Sequence, residues 1–343
     1  MKVTAADVAK LAGVSRTTVS LVLTENTSVV LSEPTKKRVI EAAKQLQYGP
    51  FSEKRMSPYS KEFAAVILPT LLNPFYPESL NSITSILSDY GYKTLIHCTN
   101  KNADSEKAFL KGLDKRSVKM ILFTYTPLAR ETAKAVAGQI PTCVLGELNF
   151  SMSCLNIALD SENAGYRTIK HLWESGRRKI CFVSNGLNSL SLSRKKRLDG
   201  IRKYAAEVGA ADSLFLAIED KESDEYETGY RQTLAALAKN PEIDAVIGVN
   251  DLVAIGAMNA IRDHGAEVPG DIAVVGFDNS KLASHYTPKL TSVEHHIYDR
   301  TKLAIATLLD DKRKAMSKKI IYEPTLIIRE SSGQTPVEFS ALS

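Results

Sequence analysis

The sequence has few of the features that mark secreted, membrane-embedded or disordered chains. Its 343 residues include four cysteines without C-x-x-C spacing, which predicts reduced, structural thiols. No apolar run reaches the roughly 18–20 residues of a membrane helix. The first residues show no apolar core with a small-residue cleavage site, so we predict no signal peptide. A composition of 44% hydrophobic and 24% charged residues excludes a mainly disordered or fibrous chain, and the length suggests two or more domains.

Common catalytic fingerprints are also missing. The sequence has no G-x-G-x-x-G or G-x-x-x-x-G-K-[ST] loop for nucleotide phosphates, and no G-x-S-x-G elbow for a hydrolase. The side chains of the adjacent pair His295–His296 would diverge in a strand, so they are not expected to share a metal ion. We therefore predict no catalytic residues, no metal and no cofactor.

The positive charge is unevenly distributed along the chain. Of the formal net charge of +5, residues 1–60 carry +4, from nine basic and five acidic side chains. Residues 61–343 carry 35 basic and 34 acidic side chains, or +1. A small basic head therefore precedes a nearly neutral body. The charge fits nucleic-acid binding by the head, but chance composition explains it equally well. The neutral body favours an uncharged metabolite over a polyanion.

The head shows three short helical patterns, over residues 4–11, 15–24 and 32–47, each opened by a capping residue. A turn at Gly13 separates the first two, which is the helix-turn-helix arrangement. With Val19 and Leu23 inward, the second helix presents an outward face that suits base edges and phosphates. This outward face consists of Arg16, Thr17, Ser20 and Leu21.

The string VTAADVAKLAGVSRTTVSLVL, followed by EPTKKRVIEAAKQLQYGP, resembles the DNA-binding head of the lactose-repressor (LacI/GalR) family of bacterial transcription regulators. The resemblance implies that Arg16 and Thr17 read bases. Leu21 stands where the family often has Arg; it would touch a thymine methyl or miss the DNA. The remaining DNA-binding residues implied by the resemblance are Thr4, Ser15, Thr18, Ser20, Thr35 and Tyr48, although capping alone explains Thr4.

The segment 49–61 corresponds to the family's hinge, but departs from its pattern. The family usually has a helix here with a Leu wedge for the minor groove. In this chain the wedge position falls on Ser57, and Pro58 limits any helix to a turn or two. We therefore predict only that Lys54 and Arg55 touch the DNA backbone.

Residues 62–343 alternate short β-rich runs with helical patterns that end at glycine. This alternation predicts parallel sheets, arranged as two doubly wound lobes with a ligand between them at the carboxyl ends of the strands. The body also resembles the family's effector domain, which shares its fold with periplasmic sugar-binding proteins. The matching residues include Asn73-Pro74-Phe75-Tyr76, Asp160, Arg197, Asn250-Asp251-Leu252 and Gly276-Phe277-Asp278.

The predicted fold is thus an all-α helix-turn-helix head joined to a two-lobed, periplasmic-binding-protein-like α/β body. The predicted domains are the head at 1–48, a linker at 49–61 and the body at 62–343. The resemblance implies three crossings between lobes, near 158–160, 290–293 and 322–325. The N-lobe would be about 62–159 with 293–322, and the C-lobe about 160–290 with 325–343.

Several matched residues suit a polyol site. Arg197 offers a rigid fork of donors, Asp278 can accept from vicinal hydroxyls, and Asn250 can donate and accept. Phe75 or Tyr76 offers a ring face, and Tyr125 and Asp160 complete the candidate effector-binding set. As alternatives, Asp278 only ties a turn and Asn250 only caps a helix.

One basic run and one acidic residue near the predicted effector site also need an interpretation. The basic run 194–197 is interpreted as a solvated helix start with one member turned inward. Asp224 aligns where some family members place a stacking aromatic; an acidic group there would bind further hydroxyls or a cationic effector in place of ring stacking.

These patterns predict a cytoplasmic, nucleoid-associated bacterial regulator, more readily a repressor than an activator. A homodimer would bind palindromic operator DNA, and a sugar or related metabolite between the lobes would control its affinity. The tail after Gly333 shows no leucine heptad, so we expect a dimer and not a tetramer. The alternatives are a solute-binding protein and an α/β enzyme acting on sugars or nucleotides.

Overall fold

The computed structural model describes residues 4–23, 32–46, 48, 62–186, 192–219, 224–310 and 317–333. Within the second head helix it does not describe the side chains of Thr17, Ser20 and Leu21. The predicted linker at 49–61 lies outside the described residues. The predicted domain limits therefore stay predictions.

The head contains the three predicted helices, α1 (Ala5–Ala12), α2 (Arg16–Leu23) and α3 (Glu33–Gln45). The Asp7 carboxylate accepts from the backbone N–H and the hydroxyl of Thr4, each over 2.7 Å, which fixes the start of α1. Gly13 ends that helix with a left-handed φ of 64°. The helices pack around a small apolar core that includes Val8, Val19 and Val39. The predicted helix-turn-helix head is confirmed.

The first lobe of the body, the N-lobe, is built on a six-stranded sheet. Its strands are β1 (Phe63–Leu68), β2 (Lys93–Cys98), β3 (Val118–Phe123), β4 (Thr142–Val144), β5 (Leu155–Leu159) and β11 (Lys318–Tyr322). Their order is β11-β5-β4-β3-β1-β2, and the pairs β1–β3, β3–β4, β4–β5 and β5–β11 are parallel. The helices of this part of the chain are α4 (Phe75–Asp89), α5 (Ala103–Gly112) and α6 (Arg130–Ala137).

The second lobe, the C-lobe, has its own six-stranded sheet. Its strands are β6 (Ile180–Ser184), β7 (Leu214–Ile218), β8 (Ala245–Gly248), β9 (Ala273–Asp278), β10 (Thr291–Glu294) and β12 (Thr325–Ile327). Their order is β12-β10-β9-β8-β6-β7. The pairs β7–β6, β6–β8, β8–β9 and β9–β10 are parallel, as predicted. The edge strand β12 runs antiparallel to β10. The helices are α7 (Ser161–Glu174), α8 (Leu192–Glu207), α9 (Glu225–Lys239), α10 (Asp251–Asp263) and α11 (Lys281–His285).

The chain passes between the two sheets three times. It leaves the first sheet after β5, returns after β10 through α12 (Ile297–Leu309), and leaves again between β11 and β12. Because β10 pairs with β9 in the C-lobe sheet as far as Glu294, the second crossing lies slightly later than the sequence predicted. The predicted two-lobed α/β architecture is confirmed.

Two helix pairs of the C-lobe approach at backbone contact, α7 against α8 and α9 against α10. A Cβ atom added at Gly200 would lie 1.8 Å from the carbonyl oxygen of Glu162, and one at Gly165 would lie 1.9 Å from that of Arg197. Gly229 and Gly256 form the equivalent contacts in the second pair. Because these four positions are glycine, the backbones of α7 and α8, and those of α9 and α10, can pack in direct contact.

None of the helices described is long and apolar enough to cross a membrane.

Candidate functional site

A cavity of about 120 Å³ lies between the lobes of the body. Both sheets contribute to its wall through the loops and helices that follow their strands. Six of the seven predicted effector residues line it, namely Phe75, Tyr76, Tyr125, Arg197, Asn250 and Asp278. Asp160 does not: its carboxylate accepts from the backbone N–H of Asn163 over 3.0 Å and caps α7. The structure therefore places Asp160 at the start of α7 as a helix cap, and it is not among the residues that line the cavity.

Arg197 is presented by α8 and is almost fully buried, with 4% of its surface exposed. Its Nη1 donates to the carbonyl oxygen of Val249 over 2.5 Å, and its guanidinium lies 4.6 Å from the centre of the Phe277 ring. Its Nε has no hydrogen-bond partner in the described part of the chain. Burial lowers the pKa of Arg197, but an arginine remains charged at neutral pH.

Asp278 ends β9 with a left-handed φ of 126°, and Asn279 follows with a φ of 49°. Its Oδ1 lies 3.3 Å from Nε2 of His295, and that nitrogen also lies 3.2 Å from Nη2 of Arg197. Burial raises the pKa of Asp278, opposed by nearby Arg197. Burial and Arg197 hold the pKa of His295 well below its usual range, so the ring is neutral. Neutral Nε2 can donate to the carboxylate or accept from the guanidinium, but not both.

Asn250 caps α10, the alternative role considered for it from the sequence, and it also contacts Glu225. Its Oδ1 accepts from the backbone N–H of Val253 over 3.0 Å, which caps α10. Its Nδ2 donates to the Glu225 carboxylate over 2.7 Å. Glu225 also accepts from Asn73 in the N-lobe, over 2.6 Å, and from Arg194. Sequence reasoning missed Glu225, because acidic residues are ordinary in the first turn of a helix.

The side chains of the basic run 194–197 make more contacts within the protein than predicted. One inward side chain was expected, but three of the four form hydrogen bonds or ion pairs. Arg194 donates to Glu225 and Asn185, and Arg197 is buried. Lys196 pairs with Glu147 of the N-lobe, with 2.7 Å between Nζ and Oε2. Only Lys195 is exposed. The expectation was wrong because residues distant in the sequence, Asn185 and Glu225 of the C-lobe and Glu147 of the N-lobe, supply these partners.

Tyr125 is held by a carboxylate that the sequence analysis did not single out. Its hydroxyl donates to Glu106 and can accept from the hydroxyl of Thr99, 3.1 Å away. Glu106 is fully buried and also accepts from the backbone N–H groups of Leu128 and Ala129, over 3.0 and 2.9 Å. Burial and the neighbouring Glu106 raise the pKa of Tyr125, so the phenol is neutral. Glu106 therefore fixes the position of this wall of the cavity.

A second buried arginine, Arg300 of α12, also lines the cavity. Only 2% of its surface is exposed. Its Nη2 donates to the carbonyl oxygen of Ile157 over 2.6 Å and its Nη1 to that of His295 over 3.3 Å. Burial lowers the pKa of Arg300 to about 10. Sequence reasoning missed this residue, because a single Arg in an amphipathic helix usually faces solvent.

Other candidates lie elsewhere. Asp224 accepts from the backbone N–H of Glu227 over 2.9 Å, caps α9 and does not line the cavity. No group of three or more His, Cys, Asp or Glu side chains suited to a metal ion occurs within the residues described.

In the head, Arg16 is exposed at the start of α2, on the predicted DNA-facing side. The Ser15 hydroxyl accepts from the backbone N–H of Thr18 over 3.0 Å and lies 2.9 Å from its hydroxyl. The Thr35 hydroxyl lies 2.9 Å from that of Ser32, and Tyr48 packs against the head core. Thr4 takes part in the cap of α1. The side chains of Thr17, Ser20 and Leu21, and the whole of Lys54 and Arg55, lie outside what the structure describes.

Comparison with known proteins gives two family matches. Residues 4–50 match the lacI family of bacterial regulatory proteins, and residues 169–332 match the periplasmic binding protein-like domain. The ribose operon repressor of Halalkalibacterium halodurans is 30% identical over 331 residues, which cover 95% of this chain and 96% of that protein. Catabolite control protein A of Priestia megaterium is 28% identical over 94% of this chain and 95% of its own length. A LacI family regulator of Enterococcus faecium, solved with bound ribose, aligns with a TM-score of 0.68 and 20% identity over 79% of this chain and 98% of that one.

Proposed function

Because the chain belongs to the LacI family of bacterial transcription regulators, we propose that it is a repressor whose affinity for operator DNA is set by a small polar metabolite held between its lobes. The chain is a DNA-binding regulator of this family, and the solute-binding and enzyme alternatives are less well supported. Members of the family are regulators and not enzymes. The observation that carries the effector proposal is the cavity, whose wall combines Phe75 and Tyr125 of the N-lobe with Arg197, Asn250 and Asp278 of the C-lobe.

The lining supports a sugar or a closely related metabolite as the effector. Arg197 offers directed donors, Asp278 offers acceptors, and Phe75 packs against His295 with ring centres 4.8 Å apart. Rings beside hydrogen-bonding side chains suit a molecule with apolar C–H faces and polar edges. The similarity to a ribose operon repressor supports the same class.

The proposed mechanism is a population shift between lobe arrangements. An effector that touches both lobes stabilises the arrangement in which its two sets of contacts are made together. The three crossing segments then transmit the change in lobe geometry. By linkage, effector and operator must alter each other's affinity by the same factor. The effector would either weaken operator binding, as an inducer does, or strengthen it, as a corepressor does.

We propose that the protein acts as a homodimer on a palindromic operator, in the bacterial cytoplasm at the nucleoid. Two copies of α2 would then read two related half-sites. An exposed apolar surface of the N-lobe supports this, since such patches mark interfaces. On the edge strand β2, Leu95 is 37% and Ile96 is 48% exposed, and in the loop after β1, Leu71 and Leu72 are 52% and 86% exposed.

The proposed DNA contacts keep the predicted roles. Arg16 and Thr17 would read base edges, and Leu21 would meet a thymine methyl. The proposed backbone and phosphate contacts are Thr4, Ser15, Thr18, Ser20, Thr35, Tyr48, Lys54 and Arg55.

The test begins with selection of preferred duplexes from a random pool by the full-length protein. We expect a palindromic consensus, and an affinity for it that falls steeply with salt, because phosphate contacts release counterions. D-ribose and other sugars are then added to the complex. Equal affinity for all duplexes, or an affinity independent of salt, would contradict the proposal.

Arg197→Ala tests the effector site within the same assay. We expect this variant to bind operator but to lose its response to the effector. Arg177→Ala is the matched control: this guanidinium belongs to the same lobe and donates to the carbonyl oxygens of Pro269 and Asp271, at 2.5 and 2.8 Å, outside the cavity. An unchanged response in Arg197→Ala would exclude the proposed site.

A further inference from the structure

Two buried guanidinium groups flank one neutral histidine in the wall of the cavity. Arg197 approaches the His295 ring, with 3.2 Å between Nη2 and Nε2, and Arg300 donates to the His295 carbonyl oxygen. Both arginines are at least nine-tenths buried, and both line the cavity. Because the histidine is neutral, its ring adds no positive charge and compensates neither guanidinium.

The acids around the cavity already have partners. Glu225 accepts from Arg194, Asn73 and Asn250, and Glu147 is bound by Lys196 over 2.7 Å. Asp278 lies beside His295 and acts electrostatically on Arg197.

Arg300 has no carboxylate in direct contact among the residues described, although Glu147, which is bound by Lys196, acts on it electrostatically. In the described part of the chain, no acid lies within ion-pairing distance of it, and its bonded partners are two backbone carbonyls. Its Nε, like that of Arg197, has no hydrogen-bond partner there. Carbonyl dipoles solvate a buried cation only partly, and a buried charge without a counter-ion is strongly unfavourable. The arrangement is one that an anion entering the cavity would complete.

From these contacts we propose that the effector is a small polyhydroxy carboxylate, an acid of the sugar series, whose carboxylate is received by Arg300 and Arg197. This proposal rests on the proposed function and specifies the ligand class. A carboxylate matches the planar guanidinium in shape and in number of acceptors. Its hydroxyls would meet Asn250 and Asp278, the polar groups on the C-lobe side of the cavity. The cavity of about 120 Å³ has room for a small molecule of this class.

The proposal is tested by titration calorimetry of the full-length protein with matched pairs of probes. The pairs are D-gluconate with D-glucose and D-ribonate with D-ribose, and D-glucose 6-phosphate represents a phosphate dianion. We expect at least one acid to bind about 10- to 100-fold more tightly than its neutral partner, the range of one or two charge-assisted hydrogen bonds. Equal or tighter binding of the neutral sugars, tighter binding of the phosphate, or no binding of either acid would overturn the proposal.

Variants at Arg300 then locate the anion. Arg300→Met should reduce the preference for the acid to about threefold or less, while Arg300→Lys should retain part of it, because Lys keeps the charge without the fork. Arg177→Met is the matched control and should keep the full preference. The measured quantity is the ratio of acid to neutral affinity within one variant, so a general loss of stability cancels. If Arg300→Met does not fold, the ratio in Arg300→Lys decides, and an unchanged ratio in either variant would refute the assignment.

The outcome for the ligand class is separable from that for the regulator. Operator release or recruitment by a neutral sugar, with no effect of the acids, would leave the proposed function standing and refute this inference. Acid binding that depends on Arg300 but never changes operator affinity would support the anion site and contradict the proposed regulation.

Discussion

The side chain of Asn73 donates a hydrogen bond to the carboxylate of Glu225 over 2.6 Å, and this contact joins the two lobes of the body. The same carboxylate accepts from Arg194 and Asn250 of its own lobe. Glu225 thus gathers donors from both sides of the cavity at one point. Lys196 and Glu147 form a second contact between the lobes. The described arrangement of the lobes is therefore stabilised in part by the protein's own charges.

Glu225→Ala should favour separation of the lobes when no effector is present. The substitution removes one acceptor from each of Asn73, Arg194 and Asn250, a change of about 1–3 kcal/mol for partly buried polar groups. Small-angle X-ray scattering should show a larger radius of gyration for the variant than for the unsubstituted protein. Glu219→Ala is the matched control, because Glu219 pairs with Arg231 within one lobe. Equal radii for Glu225→Ala and the unsubstituted protein would contradict the expected role.

Gly200→Ala should destabilise the C-lobe. The added methyl group would lie 1.8 Å from the carbonyl oxygen of Glu162, so α7 and α8 must move apart. Overpacking of this kind costs about 1–3 kcal/mol, to be measured from urea denaturation midpoints. Gly112→Ala is the control: nothing lies within 4 Å of its added methyl group at the end of α5, and we expect a gain of about 0.4–1 kcal/mol. Similar effects at both sites would show that the helix contact is not tight.

Asp251→Asn should flatten the dependence of stability on pH. Burial raises the pKa of Asp251, which accepts from the N–H and hydroxyl of Ser280, both over 2.8 Å. A carboxyl whose pKa is raised on folding stabilises the protein fully below its unfolded pKa of about 4, and this contribution is lost as pH rises through the folded pKa. The slope is at most about 1.4 kcal/mol per pH unit for one proton. The measurement is denaturant unfolding from acidic to neutral pH.

Asp114→Asn is the control, because folding lowers the pKa of Asp114 and the change of stability with pH therefore has the opposite sign. Hydrogen bonds from Ser117 and from the backbone N–H of Arg116 lower the pKa of this exposed carboxyl. Its contribution is present above the unfolded pKa and is lost as pH falls through the folded pKa. If Asp251→Asn instead steepens the fall in stability toward neutral pH, the assigned direction is wrong.

Thr17→Ala should weaken binding to the selected operator by about 1–3 kcal/mol, the scale of one base contact. Binding to unrelated duplexes should change little, because phosphate contacts dominate there. Fluorescence anisotropy at several salt concentrations measures both affinities and the salt slope. Lys54→Ala, at one of the proposed DNA-backbone contacts, is the comparison and should act nearly equally on specific and unrelated DNA. A uniform loss in Thr17→Ala would assign this residue to the backbone and not to a base.

The sequence was a good guide to features that depend on local pattern. The three head helices were expected from capping residues and apolar spacing, and they are present. Asn250 and Asp278 lie at or just after the carboxyl ends of β8 and β9, so their meeting at one edge of the sheet was predictable from topology. Arg197 lies within α8, and the family resemblance identified it.

Residues whose position depends on the approach of the two lobes were not predictable in the same way. Glu225 and Lys196 look like solvated charges on their own helices. The N-lobe supplies the partner of Lys196 and one of the three partners of Glu225, and the other two come from distant parts of the C-lobe. Arg300 is buried because α12 returns to the N-lobe, where the carbonyl oxygen of Ile157 accepts from it. Asp160 caps α7 through Oδ1 and does not line the cavity, a position that its match to the family did not indicate.

The backbone conformation at Asp278 bears on the charge of the site. Two consecutive non-glycine residues, Asp278 and Asn279, adopt left-handed φ angles, a conformation that costs about 1–3 kcal/mol per residue. Bonds from Asn279 to Ser292, Glu294 and Arg329 hold the segment in place. Glycine would adopt this φ without strain, but it would also remove the carboxylate that acts on the buried Arg197 guanidinium. The strained backbone at position 278 is therefore the cost of keeping a negative charge beside Arg197.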